Sequence, residues 1–203
     1  MQLAKMIRED VHDIRARMDE NEATLLSVFA RAKYEDGEFL EMEKIISETI
    51  AMLVAGHETS AATSSWMLIW LLKNPQVMQK VRDEVAESVE KQGEYDPLTI
   101  SELPFITACL NESQRLSPSA PATVRWLTED TQLGKWLMPA GTCVAPCMYL
   151  TQRRKDVFGE DAHEYRPERW LDGTCKPKPW EFFPFGGGRR AFAGMAQARQ
   201  QLR

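Results

Sequence analysis

Apolar residues recur at helical spacing from the first residues of the chain. Leu3, Met6, Ile7, Val11, Ile14 and Met18 fall on one face with charged residues between them, which predicts an amphipathic helix over residues 3–18. Leu25, Leu26, Val28 and Phe29 predict a second helical stretch, ended by Tyr34, Glu35, Asp36 and Gly37. Both read as packing helices without chemistry. Residues 39–72 differ. From residue 45 to residue 72 the sequence is apolar on nearly every side, which predicts a helix buried all round, in a large protein or in a membrane. About 20 apolar residues suffice to span a bilayer, so a single-span membrane protein is one reading of this segment. Gly56, His57, Glu58, Thr59 and Ser60 interrupt it, followed by Thr63, Ser64 and Ser65. An ionisable residue at the bilayer centre costs ~2.5–3.5 kcal/mol, so the pattern favours a central helix of a soluble protein with a polar notch. Glycine weakens a helix interior, and Ser or Thr hydroxyls compete for main-chain carbonyls. Residues 55–60 are therefore expected to bend or open.

Lys73, Asn74 and Pro75 stop that helix and start the next, with Asn74 as N-cap and Pro75 at the first helical position. Val77, Val81, Val85 and Val89 form an i, i+4 stripe that predicts a structural helix, stopped by Gly93. An acidic linker at residues 94–97 leads to another start signal at residues 101–104. The helix expected over residues 105–116 carries Glu112 and Arg115 on one face; on a solvated surface such a pair contributes only ~0.2–0.5 kcal/mol. Then the period changes. Residues 122–127 and 136–150 hold short β-prone runs, broken at Gly134-Lys135 and at Pro139-Ala140-Gly141, which predict a small antiparallel sheet. Residues 151–165 read as a short helix and a meander.

Composition narrows the function classes. The chain has 203 residues, enough for a sizeable core in one or two domains. With 25 Lys and Arg against 30 Asp and Glu, it shows no basic surface for nucleic acid. The four cysteines (Cys109, Cys143, Cys147 and Cys175) lack metal-ligand spacing and read as reduced core residues. Cys143 and Cys147 would share one face of a strand without a further ligand. The N-terminus has no apolar core of the signal-peptide kind, so with Met1 as the start the chain is expected to carry no membrane anchor of its own.

One stretch concentrates the chemistry. Residues 182–194 read FFPFGGGRRAFAG, and the helix-forming run MAQARQQLR follows. Three glycines let main-chain amides approach a flat or anionic group, and Arg189 and Arg190 add charge, so the loop suits a carboxylate or phosphate; a plain connector is the alternative. Phe185, Gly188, Arg190 and Gly194 match the fixed positions of F-x-x-G-x-R-x-C-x-G. The loop thereby resembles the haem-binding loop of the cytochrome P-450 family of haem-thiolate monooxygenases, of the eukaryotic or fungal type. Phe192 stands at the position of the family's iron-ligating cysteine. Residues 55–60, AGHETS, are similar to the family's [AG]-G-x-[DE]-[TS]-[TS] segment. Glu112 and Arg115 resemble its E-x-x-R helix, and Pro167, Glu168, Arg169 and Trp170 its P-E-R-[FW] segment. The four motifs stand in family order, and the resemblance runs from about residue 25 to the C-terminus.

The resemblance implies a mainly α fold with a small antiparallel β lobe: a partial cytochrome P-450 fold with the central long helix, the E-x-x-R helix and the haem loop. It implies that residues 1–203 are a single partial domain, corresponding to the second half of the family fold, without its N-terminal half and final strands. The implied chemistry is insertion of one oxygen atom from O2 into a small organic substrate, using haem and electrons from a reductase. By resemblance Thr59 hydrogen-bonds oxygen at the haem and Glu58 relays protons to it; a polar kink satisfied internally is the alternative. Ala55, Phe185, Gly188, Phe192 and Gly194 would bound the cofactor. Arg125 and Arg190 would bind its propionates, with a surface arginine as the alternative for Arg125. Glu112, Arg115 and Arg169 would form a buried structural triad behind the loop. Intact eukaryotic relatives are anchored in the endoplasmic reticulum membrane. A benzyl group has no lone pair, so Phe192 cannot ligate iron, and the nearest cysteine, Cys175, lies seventeen residues upstream. The chain is therefore expected to hold no thiolate-ligated haem and to be inactive alone. A haem-free remnant or interaction module is the alternative from another class.

Overall fold

The computed structural model describes residues 2–17, 23–92 and 103–202. Met18, Gly93, residues 94–97 and Ser101, to which the sequence assigns a helix end, a stop, a linker and a start, lie outside the described residues. The chain separates into two compact units, Met1–Glu58 and Thr59–Arg203. It is mainly helical with two small antiparallel sheets.

In the first unit, helices α1 (Gln2–Arg17) and α2 (Leu25–Arg31) meet the first turns of α3 (Met42–Lys73). Ile7, Val11 and Ile14 of α1 pack with Ala30 and with Ile45 and Ile46 of α3. The buried stripe is narrower than the apolar pattern, since Leu3, Met6, Leu25 and Val28 stay exposed. Thr24 starts α2, its hydroxyl accepting from the Ser27 amide at 3.1 Å. Arg15 ties α1 to α2 and to the segment before α3 by donating to the carbonyls of Ala30 and Leu40, each at 2.9 Å.

Helix α3 departs from the sequence expectation in three ways. Its apolar residues are not buried all round: Ile45, Ile46 and Leu71 are, but Met52, Leu53, Val54, Trp66, Leu68, Ile69 and Leu72 are exposed. Only the helix ends find apolar clusters to join, and hydropathy alone does not supply neighbours. Residues 55–60 do not open either; α-helix continues through them. The Thr63 hydroxyl donates to the Thr59 carbonyl four residues back at 2.8 Å, so it is satisfied along the helix. Finally, among the described residues no helix is long and apolar enough to cross a membrane, so the single-span reading of residues 45–72 lacks its helix.

In the second unit, Asn74 separates α3 from α4 (Pro75–Gln92). Its main-chain carbonyl accepts from Val77 and Met78, while its side chain donates back to Trp70 at 2.8 Å and closes the end of α3. Helix α5 (Pro104–Leu116) has no side-chain cap of its own. Glu84 of α4 supplies one, its carboxylate accepting from the Phe105 and Ile106 amides at 2.8 and 2.9 Å. Leu71, Val77, Cys109, Leu116 and Tyr165 form the core around α5, with Tyr165 stacked on Trp70 at 5.3 Å.

The predicted sheet is two separate two-stranded sheets. Strand β1 (Arg125–Trp126) pairs antiparallel with β4 (Cys143–Val144), and β2 (Thr131–Leu133) with β3 (Trp136–Met138). The β-prone run does not extend to residue 150, because Met148–Thr151 forms α6. Met148 there is buried while Tyr149 and Leu150 are exposed, a one-sided burial that a short helix satisfies. Helix α7 (Lys155–Phe158), a 3-10 turn at Pro167–Trp170, a second at Gly188–Arg190 and α8 (Met195–Gln201) complete the unit. All four cysteines are free, but only Cys109 and Cys175 are in the core; Cys143 is exposed and Cys147 half-buried. Burial pushes the Cys109 thiol up to about 12, so it stays protonated and inert at neutral pH.

Candidate functional site

Glu112 is wholly buried in α5 and collects donors from three directions. Arg115, one turn on, grips it with both arms of its guanidinium, Nε to Oε2 and Nη2 to Oε1, each at 2.8 Å. Arg169 donates from the 3-10 turn at 2.9 Å, and the Arg166 amide and Trp170 indole add bonds of 3.0 and 2.9 Å. The structure thus brings Glu112, Arg115 and Arg169 together, all fully buried. The remaining guanidinium protons have acceptors as well. Arg115 reaches the carbonyls of Gln152, Ala162 and Glu164, and Arg169 those of Phe158 and Asp161. Burial disfavours the Arg169 charge, but Glu112 and Asp161 outweigh it and hold its pKa above the ordinary value. Burial likewise raises the Asp161 carboxyl, yet Arg169 and Arg166 bring it below the usual carboxylate range.

Gln152 carries this network to the glycine loop. Wholly buried after α6, it donates through Nε2 to the carbonyls of Gln114 and Arg115 at 3.1 and 3.3 Å and accepts at Oε1 from the Phe183 amide at 3.2 Å. A neutral amide is needed because donors and acceptors are required at once. No periodicity or motif in the sequence singles Gln152 out. The nearest signal is a polar residue between a buried helix and a basic pair, and that is weak.

The loop itself opens onto a cavity of about 790 Å³ within the second unit. Thr59, Ser60 and Thr63 of α3 contribute to its lining, with Arg125 of β1, residues 183–188, Arg190 and Phe192. Gly186 and Gly188 sit at φ of +72° and +68°, which side-chain-bearing residues rarely adopt. Arg125 and Arg190 are exposed at the cavity wall, and neither has a carboxylate partner among the described residues. Phe192 is half-buried, its ring stacked on Phe185 with centroids 6.5 Å apart and its amide donating to the Phe185 carbonyl. The ring lies so close over residue 194 that a Cβ there would meet Phe192 Cε1 at 2.8 Å, so any larger residue needs the ring to move.

Six of the sequence-predicted site residues therefore line one cavity: Thr59, Arg125, Phe185, Gly188, Arg190 and Phe192. Gly194 supports the Phe192 ring without lining it, and Ala55 and Glu58 belong to the first unit's part of α3. Among the described residues the lining contains no cysteine, histidine or tyrosine, and its one sulfur is the Met148 thioether. No cluster of metal-ligating residues occurs among the described residues.

Comparison with known proteins agrees with the motif order. The chain is 39% identical over 169 residues to a self-sufficient cytochrome P450 monooxygenase of Oidiodendron maius, covering 81% of this chain and 16% of that protein. It is 35% identical over 160 residues to methyltetrahydroprotoberberine 14-monooxygenase of Papaver somniferum, covering 77% of this chain and 30% of the relative. To the mitochondrial 1,25-dihydroxyvitamin D(3) 24-hydroxylase of Mus musculus it is 34% identical over 163 residues, covering 80% and 32%. The chain thus spans about a third or less of these relatives' length. A family model described as cytochrome P450 matches residues 1–203, and the chain belongs to the cytochrome P450 family of haem monooxygenases.

Proposed function

We propose that the second unit holds a haem-sized dicarboxylate macrocycle in the cavity beneath the glycine loop but does not carry out thiolate-assisted oxygen cleavage. Four features support the first half. The volume suits a cofactor site, typically ~300–1,000 Å³. The lining joins apolar loop residues to two guanidinium groups, and glycines at 186–188 let the main chain come close. Arg125 and Arg190 would pair with the carboxylates, Phe185 and Phe192 would pack against the ring, and Thr59 would hydrogen-bond oxygen there. Glu58 would keep the proton-relay role that the family resemblance gives it. Glu112, Arg115 and Arg169 would fix α5 against the turn at Pro167–Trp170 and, through Gln152, hold the loop in register.

The single observation that carries the second half is Phe192. The family's haem is activated by a cysteine thiolate that pushes electron density onto iron. The ring of Phe192 has no lone pair, and its lining neighbours provide no thiolate or imidazole. The residues present fit the macrocycle and its carboxylates and do not fit the axial bond. Substrate and reductase, which monooxygenases of this family use, would have no productive turnover here. Two of the three relatives are named for dissimilar molecules and the third for none, so they do not nominate a substrate. The test is the reduced, carbon monoxide-treated spectrum of the haem-supplemented chain. The red-shifted Soret band of thiolate ligation should be missing, and its presence in the unaltered chain would overturn the proposal.

A further inference from the structure

We infer that the cavity takes flat tetrapyrrole dicarboxylates without regard to the metal at their centre, so that the metal-free ring binds as tightly as the iron-bearing one. The inference rests on the proposed reading of this cavity as a macrocycle site and adds a ligand class to it. A tetrapyrrole can be held in three ways: through its carboxylates, its faces and its metal. The carboxylate contacts come from Arg125 and Arg190, which share the lining and have no carboxylate partner among the described residues. A guanidinium pair of that kind recognises the peripheral acids whether or not the ring holds a metal.

The faces are met by packing. Phe185 and Phe192 are stacked within 11° of parallel and offer a flat aromatic surface. A Cβ added at Gly187 or Gly188 would meet nothing within 4 Å, so the space beside these glycines is open to a planar group. None of these contacts senses the ring centre.

The third contact is where iron would normally be selected. An axial bond to thiolate or imidazole exists only when a metal is present, so it makes the metallated ring the tighter ligand. Here the described residues of the cavity lining include no cysteine, histidine or tyrosine, and Phe192 fills the place of the donor. The one soft donor is the Met148 thioether, only 1% exposed in its own packing. Without a donor, the axial contribution that would favour the iron-bearing ring is missing.

The experiment titrates the 203-residue chain with protoporphyrin IX, ferric haem and protoporphyrin dimethyl ester, reading the quenching of tryptophan fluorescence; Trp180 lines the cavity. The two acids should bind within about threefold of each other, and the diester at least about tenfold more weakly. Arg190→Gln should weaken both acids and leave the diester unchanged. Haem binding about thirtyfold or more tightly than protoporphyrin would overturn the inference while leaving the proposed macrocycle site standing. A low-spin haem spectrum abolished by Met148→Leu would do the same, since it would reveal an axial thioether. If neither acid binds, both the inference and the macrocycle reading fall.

Discussion

Arg115→Ala is the most informative change to make in this protein. Arg115 donates five hydrogen bonds, two to Glu112 and one each to the carbonyls of Gln152, Ala162 and Glu164, and its side chain is wholly buried. Its removal does not strand Glu112 completely, because Arg169, the Arg166 amide and the Trp170 indole still reach the carboxylate. What it strands is three main-chain carbonyls, each worth ~1–3 kcal/mol if left without a donor. Water entering the vacated space would recover part of that sum. Stability should fall by ~3–5 kcal/mol, the range for breaking a buried ion pair by removing one partner. Urea unfolding followed by tryptophan fluorescence measures it, and Trp170 is a local reporter because its indole donates to Glu112. Arg115→Lys keeps the charge but loses the planar fork, and should cost less than alanine while still destabilising. A loss below ~1 kcal/mol for Arg115→Ala, the value of a solvent-exposed pair, would refute the reasoning.

Other changes probe separate links. Gln152→Glu replaces the donating amide by an oxygen facing the Gln114 and Arg115 carbonyls; it should cost ~1–3 kcal/mol and speed amide hydrogen exchange at residues 183–188, read by mass spectrometry. Unchanged exchange there would mean that Gln152 does not anchor the loop. Glu84→Ala uncaps α5 and should cost about 1 kcal/mol in the same urea titration, with Glu84→Asp recovering little because the shorter arm cannot reach both amides. Asp161 supplies a pH dependence. Its carboxyl is held below the ordinary range by Arg169 and Arg166, so the stability it contributes is complete above the unfolded value of about 3.9 and is lost as pH falls through the lower folded value. The stability gap between the native chain and Asp161→Asn should therefore close on acidification across that window, and a gap independent of pH would contradict the assignment.

The parts legible in the sequence are those encoded at short range. Apolar spacing located α1, α2 and α4 because a helix repeats every few residues, and a start signal located α5. Lys73, Asn74 and Pro75 marked a boundary because proline cannot continue a preceding helix, and the glycine loop declared itself through residues that tolerate positive φ. Glu112 and Arg115 were visible as neighbours on one helix face. Their burial was implied by the family resemblance and not by their spacing: it comes from Arg169 and Trp170, more than fifty residues on, folding over α5. Separations of 31 residues from Gln152 to Phe183 and 21 from Glu84 to Phe105 hid the loop anchor and the cap of α5, since a hydrogen bond between elements leaves no period behind. The sequence by itself also determined that no thiolate stands at position 192, because that is a matter of atoms and not of folding. Only the tertiary structure decided which apolar residues of α3 are covered, that Met148–Thr151 coils into a helix, and that Arg125, Arg190, Thr59 and Phe192 surround one cavity. Burial and convergence are properties of neighbours in space. A local pattern can state what a residue needs, and only the packed chain determines whether it is met.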